Sequence, residues 1–414
     1  MEIRRVVVTG IGIVSPLGHD PKTFFDNLAN ARSGVRRIDD RFDSPLDAPV
    51  AATVEGFDPA THFPKTRLLS LDRVSQFALV AARQAIEDAQ LEPARIGAER
   101  VGVSVGTGMG GAGTLDSAYD EIYVRHARRV RPLTLIAAMN NAATANLSIE
   151  FGMQGASFTH SAACASSAIA IGEAARHIRH GYADAMLAGG AESLLTLGVI
   201  RAWEALRTLA NMDERHPETS CRPFAADRSG FVLGEGAGFI VLEELSAALR
   251  RGARPYAELC GYGANSDAHH LTQPNAVGQA AAMRQALADA GMEPDEIGYV
   301  NAHGTATAVG DAAETAAIKA VFGERAHRLP VSSTKSMHGH LLGAAGAVEF
   351  IASLLALKNE TLPPTAHLQV ADPECDLDYV PLRARPAPGV RAVMSNSFAF
   401  GGSNAALIAR RLTH

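Results

Sequence analysis

Short apolar segments alternate with longer alanine-rich segments along the whole chain, and this alternation constrains the fold more than any single motif. The apolar segments, which we predict to be strands, are residues 5–9, 101–105, 185–188, 238–242, 256–262, 297–301, 331–333 and 392–395. The alanine-rich segments, which we predict to be helices, are residues 73–89, 164–180, 279–290, 313–321 and 344–357. Continuous apolar strands are typical of sheets covered on both faces. The pattern therefore predicts an α/β protein built of alternating layers.

A charged segment, RRGARP at residues 250–255, divides the chain into two similar parts. Each part opens with an apolar strand that we expect to end in a glycine-containing turn, at residues 7–12 and 258–263. We therefore predict two halves with the same fold, residues 1–253 and 254–414. The first half carries a distinctive cysteine, and the second half carries two histidines next to glycines.

The composition is that of a globular enzyme. The chain has 414 residues, of which 47% are hydrophobic, and its net charge of -6 argues against general nucleic-acid binding. No uncharged apolar segment is long enough to span a membrane, and residues 1–10 predict a strand rather than a secretion signal. Four widely spaced cysteines form no CxxC pair, so we expect neither disulfides nor a zinc cluster. We therefore expect a cytoplasmic protein in a reducing environment.

Cys164 lies in the segment SAACASS, between a short mixed segment and an alanine-rich helical one. A cysteine at the start of a helix is well placed for chemistry, because the free N–H groups and the helix dipole stabilise a thiolate and bind a developing oxyanion. The alternative is a buried structural thiol, since free cysteines are among the most buried residues. The segment alone leaves both interpretations open.

Three later segments of small and polar residues also follow predicted strands, at residues 301–307, 332–340 and 396–404. Functional sites in α/β sheets gather beyond the carboxyl ends of strands. His303 and His340 each lie next to a glycine in these loops, and histidine can move protons or donate hydrogen bonds to an oxygen that gains charge. Lys335 is a third polar group, and Glu349 is its expected partner if the lysine is buried.

Other chemistries find little support. His338 and His340 are two residues apart, without a neighbouring cysteine or carboxylate, so we expect no metal site. The GxGxxG match at residues 106–111 lacks the acidic residue of a dinucleotide site, and we interpret it as a close-packed turn that lines a pocket. The chain has neither a P-loop nor a GxSxG motif, which disfavours nucleotide hydrolysis and a serine-hydrolase site.

Taken together, the four loops resemble those of the 3-oxoacyl-[acyl-carrier-protein] synthases, a beta-ketoacyl synthase family of the thiolase superfamily. The resemblance covers nearly the whole chain and is strongest to the elongating enzymes of type II. It rests on Cys164 in its small-residue turn, NAHGT at residues 301–305, Lys335 with Gly339–His340, and the loop around Phe400. The resemblance implies a thiolase-like fold, with two halves in five αβαβα layers, and usually a homodimer.

The same resemblance implies a reaction and a set of roles. Cys164 would accept an acyl chain from acyl carrier protein (ACP) as a thioester, with its own N–H and that of Phe400 as the oxyanion hole. His303 and His340 would promote decarboxylation of malonyl-ACP, and the resulting carbanion would attack the thioester to give 3-oxoacyl-ACP in fatty acid elongation. Lys335 would organise the site. Glu349 and Asp311 would support it.

Further residues follow from the resemblance as substrate contacts. Thr272, Thr305 and Thr307 would hold the phosphopantetheine arm, which the ACP carries, so the chain would need no cofactor of its own. Phe400 would gate the acyl tunnel and Met109 would line it. Because ACP is acidic, a basic patch is expected near the mouth of the pocket. The residues that we predict for this patch are Lys65, Arg67, Arg128 and Arg129.

The chain departs from the family pattern at Ala399, where glycine is usual, at His338, and around Trp203. These departures leave open a ketosynthase of a specialised type II polyketide or polyene pathway, paired with a chain-length partner subunit. Cys164 disfavours a third interpretation, a non-catalytic chain-length subunit, because such subunits typically lack the cysteine. A thiolase is disfavoured because Cys375 lies outside any glycine-rich loop that follows a strand.

Overall fold

The computed structural model describes residues 4–412, which form a large mixed sheet of two halves with helices outside the halves and between them. The α-helices are α1 Pro21–Ala29, α2 Lys65–Leu68, α3 Arg73–Ala89, α4 Pro93–Ile96, α5 Ala112–Tyr119, α6 Thr134–Ala138, α7 Ala142–Phe151, α8 Ser166–Arg179, α9 Leu197–Leu206, α10 Leu245–Arg250, α11 Ala276–Ala290, α12 Ala308–Phe322, α13 Lys335–His338 and α14 Ala345–Asn359. The strands are β1 Val6–Val14, β2 Val35–Arg37, β3 Val50–Ala52, β4 Val101–Gly106, β5 Ser157–His160, β6 Ala185–Glu192, β7 Leu233–Gly234, β8 Gly236–Glu244, β9 Ala257–Ser266, β10 Tyr299–Asn301, β11 Val331–Ser332, β12 Thr361–Leu362, β13 Arg385–Pro386, β14 Ala392–Phe398 and β15 Ser403–Arg410.

The main sheet has ten strands in the order β11-β10-β14-β15-β9-β1-β8-β6-β4-β5. Its two five-stranded parts meet where β1 pairs with β9 in antiparallel fashion, Val7 opposite Glu258 and Val8 opposite Ala257. Outward from this junction, β1, β8, β6, β4 and β5 correspond in position to β9, β15, β14, β10 and β11, and the chain visits both sets in the same order. This symmetry is that of a duplicated fold. The division at residues 253 and 254 stays a prediction.

The helices form three layers, which gives the five-layer αβαβα architecture that the family resemblance implies. Helices α8 and α14 lie together in the middle, where their apolar residues share one core with strands of both half-sheets. Helices α3 and α7 cover the first half-sheet on the outside, while α11 and α12 cover the second. Residues 342–359 are long and apolar enough to cross a membrane, but 89% of this segment is buried inside the protein, as the central core helix requires.

The glycine turns predicted at residues 7–12 and 258–263 are wrong, because both strands continue without a break in direction. A Cβ atom on Gly12 would lie 1.8 Å from the carbonyl oxygen of Ala81 in α3. One on Gly263 would lie 2.1 Å from the carbonyl oxygen of Ala282 in α11. The glycines therefore allow a helix to lie directly on a strand. The same contact recurs in both halves, which accounts for the repeated sequence pattern.

The predicted helices are confirmed, with shifted ends. Helix α3 has the predicted bounds, and the side chain of Asp72 caps it by accepting a hydrogen bond from the N–H of Val74. Helix α12 begins earlier than predicted, because the hydroxyl of Thr307 caps it through the N–H of Gly310. Helix α8 begins at Ser166, so Cys164 lies just before the helix rather than inside it.

We predict that Gly263→Ala destabilises the protein, because its methyl group would overlap the backbone of α11. Overpacking of this kind costs about 3 kcal/mol or more, which lowers the melting temperature of a protein this size by about 3 °C or more. Thermal unfolding followed by circular dichroism measures the change. Gly389→Ala is the matched control, because no atom lies within 4 Å of its Cβ position. Equal melting temperatures for the two variants would refute the steric role of Gly263.

Candidate active site

Cys164 is held in a tight turn between β5 and α8, as the sequence predicts. The residue before it, Ala163, has a φ of +47°, a left-handed conformation that is unfavourable for a side chain other than glycine. The hydroxyl of Ser166 fixes the turn, since it accepts from the N–H of Ala162 at 2.8 Å and donates to the carbonyl oxygen of Ala163 at 2.6 Å. The strained turn therefore fixes the position of the thiol at the start of the helix.

The thiol of Cys164 is 5% exposed, and this burial raises its pKa to about 12. The positive charge of Lys335 and the backbone N–H of Phe400, which donates to the sulfur, oppose the shift without reversing it. The resting group at neutral pH is therefore a thiol. Desolvation of the sulfur therefore outweighs the stabilisation of a thiolate by the helix start.

His340 is the closest polar neighbour of the thiol, with 2.9 Å between its Nε2 atom and Sγ of Cys164. Its other ring nitrogen, Nδ1, accepts a hydrogen bond from the N–H of Leu342 at 3.3 Å. We therefore assign the ring proton to Nε2, which makes His340 a hydrogen-bond donor toward the thiol. Burial lowers the pKa of His340 well below its usual value, so the ring is neutral at pH 7.

His303 faces His340 at 5.4 Å between ring centres, with the two rings nearly perpendicular. Nζ of Lys335 donates to the carbonyl oxygen of His303 at 2.6 Å and lies 3.3 Å from its Nδ1 atom. The ring proton of His303 is therefore on Nε2, as in His340. Burial, and then the charge of Lys335, lower the pKa of His303 well below its usual value. Two neutral N–H donors thus lie beside one thiol.

Lys335 forms an ion pair with Glu349, and both side chains are completely buried. This is the partner expected from the sequence. Burial raises the pKa of Glu349, although the ammonium of Lys335 pulls it down. Because the same ammonium also holds His303, the pair ties α14 in the central layer to the loop after β10.

Two acidic residues of α12 hold the backbone around His303. Asp311, expected from the sequence as a supporting residue, accepts from the N–H groups of Phe224 at 2.7 Å and Ala306 at 3.1 Å, and burial raises its pKa to about 7. Glu314, which the sequence analysis missed, accepts from the N–H groups of His303 at 2.9 Å and Gly304 at 2.7 Å. The sequence does carry a sign of this role, because Glu314 follows Asp311 by three residues, a spacing that places both side chains on the buried face of α12.

Glu192 at the end of β6 is a second residue that the sequence analysis missed. Its buried carboxylate accepts from the N–H groups of Gly108 at 2.6 Å and Gly343 at 2.9 Å, and burial raises its pKa to about 7. It therefore joins the glycine-rich turn at residues 106–111 to the turn after His340. The turn at residues 106–111 is close-packed, as predicted, but its residues do not line the cavity at Cys164.

A cavity of about 290 Å³ connects these groups with the surface. Cys164, His303 and His340 line it together with Phe400. The threonines predicted to hold a pantetheine arm, Thr272, Thr305 and Thr307, line it as well. Further lining residues are the mainly apolar Leu206, Thr208, Leu271 and Val309. The cavity therefore offers apolar walls with a few hydroxyl groups along the approach to the thiol.

The loop around Phe400 closes one side of the cavity. Gly401 and Gly402 have φ angles of +85° and +76°, and the N–H of Gly401 donates to the carbonyl oxygen of Leu271 at 2.7 Å. Ala399 is not among the residues with positive φ, so alanine fits here without backbone strain. The departure from glycine at this position therefore leaves the resting loop undistorted.

Met109 does not reach this site. Its side chain is 49% exposed and does not line the cavity, so the structure does not support it as part of the tunnel wall next to this thiol. His338 is buried and outside the cavity. Its Nδ1–H donates to the carbonyl oxygen of Gly339 at 2.8 Å, while Nε2 accepts from the hydroxyl of Thr334 at 2.9 Å.

The basic residues predicted to bind ACP differ in availability. Arg67 is paired with Glu150 at 2.6 Å, so its charge is largely neutralised. Lys65, Arg128 and Arg129 are exposed, and among residues 4–412 they have no acidic partner within 4 Å. An exposed arginine that the sequence analysis missed, Arg207, also lacks a partner among the described residues and lies between two cavity residues, Leu206 and Thr208.

Cys164, His303 and His340 also have the side-chain types of a zinc site. One ligand atom from each lies within 4.8 Å of the others, and within residues 4–412 no other group of three such side chains comes as close. However, the hydrogen bonds at the Nδ1 atoms direct the Nε2–H of each ring inward. Two N–H donors suit an oxygen that gains negative charge better than a cation.

Comparison with known proteins agrees with this geometry. A family model described as the Beta-ketoacyl synthase, N-terminal domain matches residues 3–248, and the corresponding C-terminal domain model matches residues 256–369. The chain is 43% identical over 410 residues to 3-oxoacyl-[acyl-carrier-protein] synthase 2 of Staphylococcus aureus (strain COL), covering 99% of this chain and 98% of that protein.

Two solved structures extend the comparison. The ishigamide ketosynthase/chain length factor matches with a TM-score of 0.92 and 36% identity, covering 99% of this chain and 100% of that chain. A type II polyketide synthase acyl-carrier protein in complex with its ketosynthase matches with a TM-score of 0.91 and 34% identity, with the same coverage. The two domain matches and the full-length identity show that this chain belongs to the beta-ketoacyl synthase family.

Proposed function

We propose that this protein is an acyltransferase that condenses acyl-ACP with malonyl-ACP to give 3-oxoacyl-ACP, carbon dioxide and free ACP in fatty acid elongation. One observation carries the proposal. A thiol and two neutral N–H donors converge at the inner end of a narrow apolar cavity. Acyl transfer needs the thiol as nucleophile, and stabilisation of an enolate needs the two N–H donors.

In the first half-reaction, Cys164 attacks the thioester carbonyl of acyl-ACP. The backbone N–H of Phe400, directed at the sulfur, and that of Cys164 itself stabilise the oxyanion. The C–S bond to the ACP arm breaks as the new C–S bond forms, and the thiol proton ends on the departing ACP thiol. Because the resting group is protonated, the helix start and the Nε2–H of His340 stabilise a thiolate that exists only during transfer.

In the second half-reaction, the thioester oxygen of malonyl-ACP accepts hydrogen bonds from Nε2–H of His303 and His340. Loss of carbon dioxide leaves its electron pair on the malonyl α-carbon as an enolate, whose negative oxygen the two donors stabilise. The α-carbon then attacks the acyl-Cys164 carbonyl, and the C–S bond to Cys164 breaks. The released thiolate takes up a proton and restores the resting enzyme.

The carrier protein supplies the phosphopantetheine arm, so the enzyme needs no cofactor of its own. The relative with 43% identity is named for an acyl-carrier-protein substrate, and one solved relative is in complex with an acyl-carrier protein. Thr305 and Thr307, with 3.0 Å between their hydroxyl oxygens, lie where the arm would pass. Thr307 also caps α12, so its hydroxyl is already fixed in place.

A specialised polyketide or polyene ketosynthase is the second candidate. It is favoured by the likeness to the ishigamide ketosynthase and by Trp203, which contacts the gate residue Phe400. Intact-mass measurement of Cys164 acylation with saturated and polyunsaturated acyl-ACPs separates the two functions. Preference for saturated chains supports fatty acid elongation, and preference for conjugated polyenes supports the alternative.

A homodimer is the assembly that the surface supports best. Helices α5 and α6, which contact each other, and residues 120–124 after α5 expose apolar side chains. These include Tyr119, Tyr123, Leu135 and Ile136, with exposures of 53–71%. An exposed apolar patch of this kind is typical of an interface. A heterodimer with a chain-length subunit would use the same face.

The four cysteines are free and buried, which fits a cytoplasmic enzyme.

We predict that Cys164→Ala abolishes acylation and condensation, because no other group in the cavity can form the thioester. His340→Ala and His303→Ala are expected to slow malonyl-ACP decarboxylation about 100-fold or more, since each removes one donor to the enolate oxygen. The same substitutions should slow acyl transfer less. Intact mass reports acylation, and release of labelled carbon dioxide reports decarboxylation. Equal loss in both half-reactions would contradict the separate roles.

We predict that reversing the charges of Arg128 and Arg129 to Glu raises KM for acyl-ACP about tenfold, because both exposed cations face no acid of this chain. The KM for an acyl-pantetheine thioester should not change, since that substrate lacks the acidic protein. Arg328→Glu is the control, because this arginine is also exposed but follows the C-terminal end of α12, whereas the cavity residue Thr307 caps the other end of that helix. A parallel loss with both substrates would argue against ACP docking.

We predict that the double substitution Leu135→Asp and Ile136→Asp converts the dimer to a monomer, because it places two charges in the apolar patch. Size-exclusion chromatography with light scattering measures the mass. Val277→Asp is the matched control, since Val277 is 75% exposed on the outer helix α11. If the double variant keeps the mass of the unchanged protein, this patch is not the interface.

A further inference from the structure

We propose that Trp203 determines which acyl chains the enzyme accepts, by forming the surface against which Phe400 must move to admit the chain. The inference rests on the proposed function, and it concerns the part of the site that receives the acyl group. Trp203 is the one tryptophan of the chain. It lies on α9, in the segment that departs from the family pattern, and it does not line the cavity.

The indole of Trp203 is stacked on the ring of Phe400, with 6.1 Å between ring centres and 26° between ring planes. It also contacts Phe231 edge to face at 5.3 Å, and Phe231 contacts His340 in the same way at 5.3 Å. Phe400 therefore lies between the cavity on one side and Trp203 on the other. Any movement of Phe400 away from the cavity meets the indole.

The space beyond the thiol is filled by apolar side chains. Cys164 belongs to a cluster with Ile38, Ile200 and Leu342, against which Phe42, Leu46 and Trp203 pack. An acyl group on Cys164 must enter this cluster, because the opposite side of the thiol faces the arm-binding cavity. The longer the chain, the more of this cluster it displaces. The largest member beside the gate therefore sets a limit on chain length and shape.

Contacts with residues 44–48 hold helix α9 in place, so Trp203 cannot move away freely when Phe400 moves toward it. The carboxylate of Glu204 accepts from the N–H groups of Asp47 at 2.7 Å and Ala48 at 3.0 Å. Arg201 pairs with Glu204 at 2.7 Å and donates to the hydroxyl of Ser44 at 3.0 Å. These contacts join α9 to residues 44–48 on the outer side of the cluster. Because Trp203 is part of the helix that these contacts fix, it forms a rigid stop for Phe400.

The test is a panel of saturated acyl-ACPs from four to sixteen carbons, with Cys164 acylation followed by intact mass. Trp203→Ala is expected to raise the ratio of long-chain to short-chain acylation rates at least tenfold, and Trp203→Phe to give an intermediate ratio. Leu206→Ala is the control on the same helix, because Leu206 lines the outer cavity and should affect all chain lengths alike. An unchanged ratio in both Trp203 variants, with retained melting temperatures, would overturn the inference.

The fluorescence of Trp203 gives a second readout in the unmodified protein. Long-chain acylation of Cys164 should move Phe400 and change the emission of its stacked neighbour, whereas Cys164→Ala should show no change. This measurement decides the matter if Trp203→Ala fails to fold, since constant emission on full acylation would also overturn the inference. If no acyl-ACP acylates Cys164 at all, the proposed function itself has failed. If Cys164 is acylated but the Trp203 variants keep the chain-length preference of the unchanged protein, only the role of Trp203 is refuted and the proposed function stands.

Discussion

The buried ammonium of Lys335 is the interaction on which the catalytic geometry depends. It is paired with Glu349, holds the carbonyl oxygen of His303 and lies against the Nδ1 atom of the same ring. One charge thus fixes the tautomer of a donor, adds to the burial that lowers the pKa of the nearby imidazoles, and opposes part of the desolvation of Cys164. Removing one partner of a buried pair lowers the free energy of unfolding by about 3–5 kcal/mol, because the other charge is left uncompensated. Stability and chemistry therefore share the same contact.

The layered fold and the reacting groups could be predicted from the sequence, because both leave local patterns. Apolar strands followed by small polar loops identify sheet ends, and Cys164, His303, Lys335 and His340 all lie in such loops. The structure brings these four residues together. The protonation state of the thiol could not be predicted in this way, since burial depends on the whole protein and outweighs the helix start next to it.

The errors share a physical origin in contacts between distant segments. Gly12 and Gly263 predict turns when only neighbours in sequence are considered, but each is required by a helix that crosses its strand. Glu192 and Glu314 were missed because they bind backbone N–H groups, which no side-chain motif reveals. Met109 follows a strand as the reacting residues do, yet its side chain is half exposed and does not line the cavity.

The order of the strands has a consequence for synthesis on the ribosome. Strands β10 and β11, which position His303 and Lys335, join the rest of the sheet through β14 and β15, the last two strands made. A nascent chain that ends before Ala392 holds a finished nucleophile turn but has no route by which the histidine loops can dock. We therefore expect the enzyme to become reactive only after β14 and β15 have left the ribosome and joined the sheet.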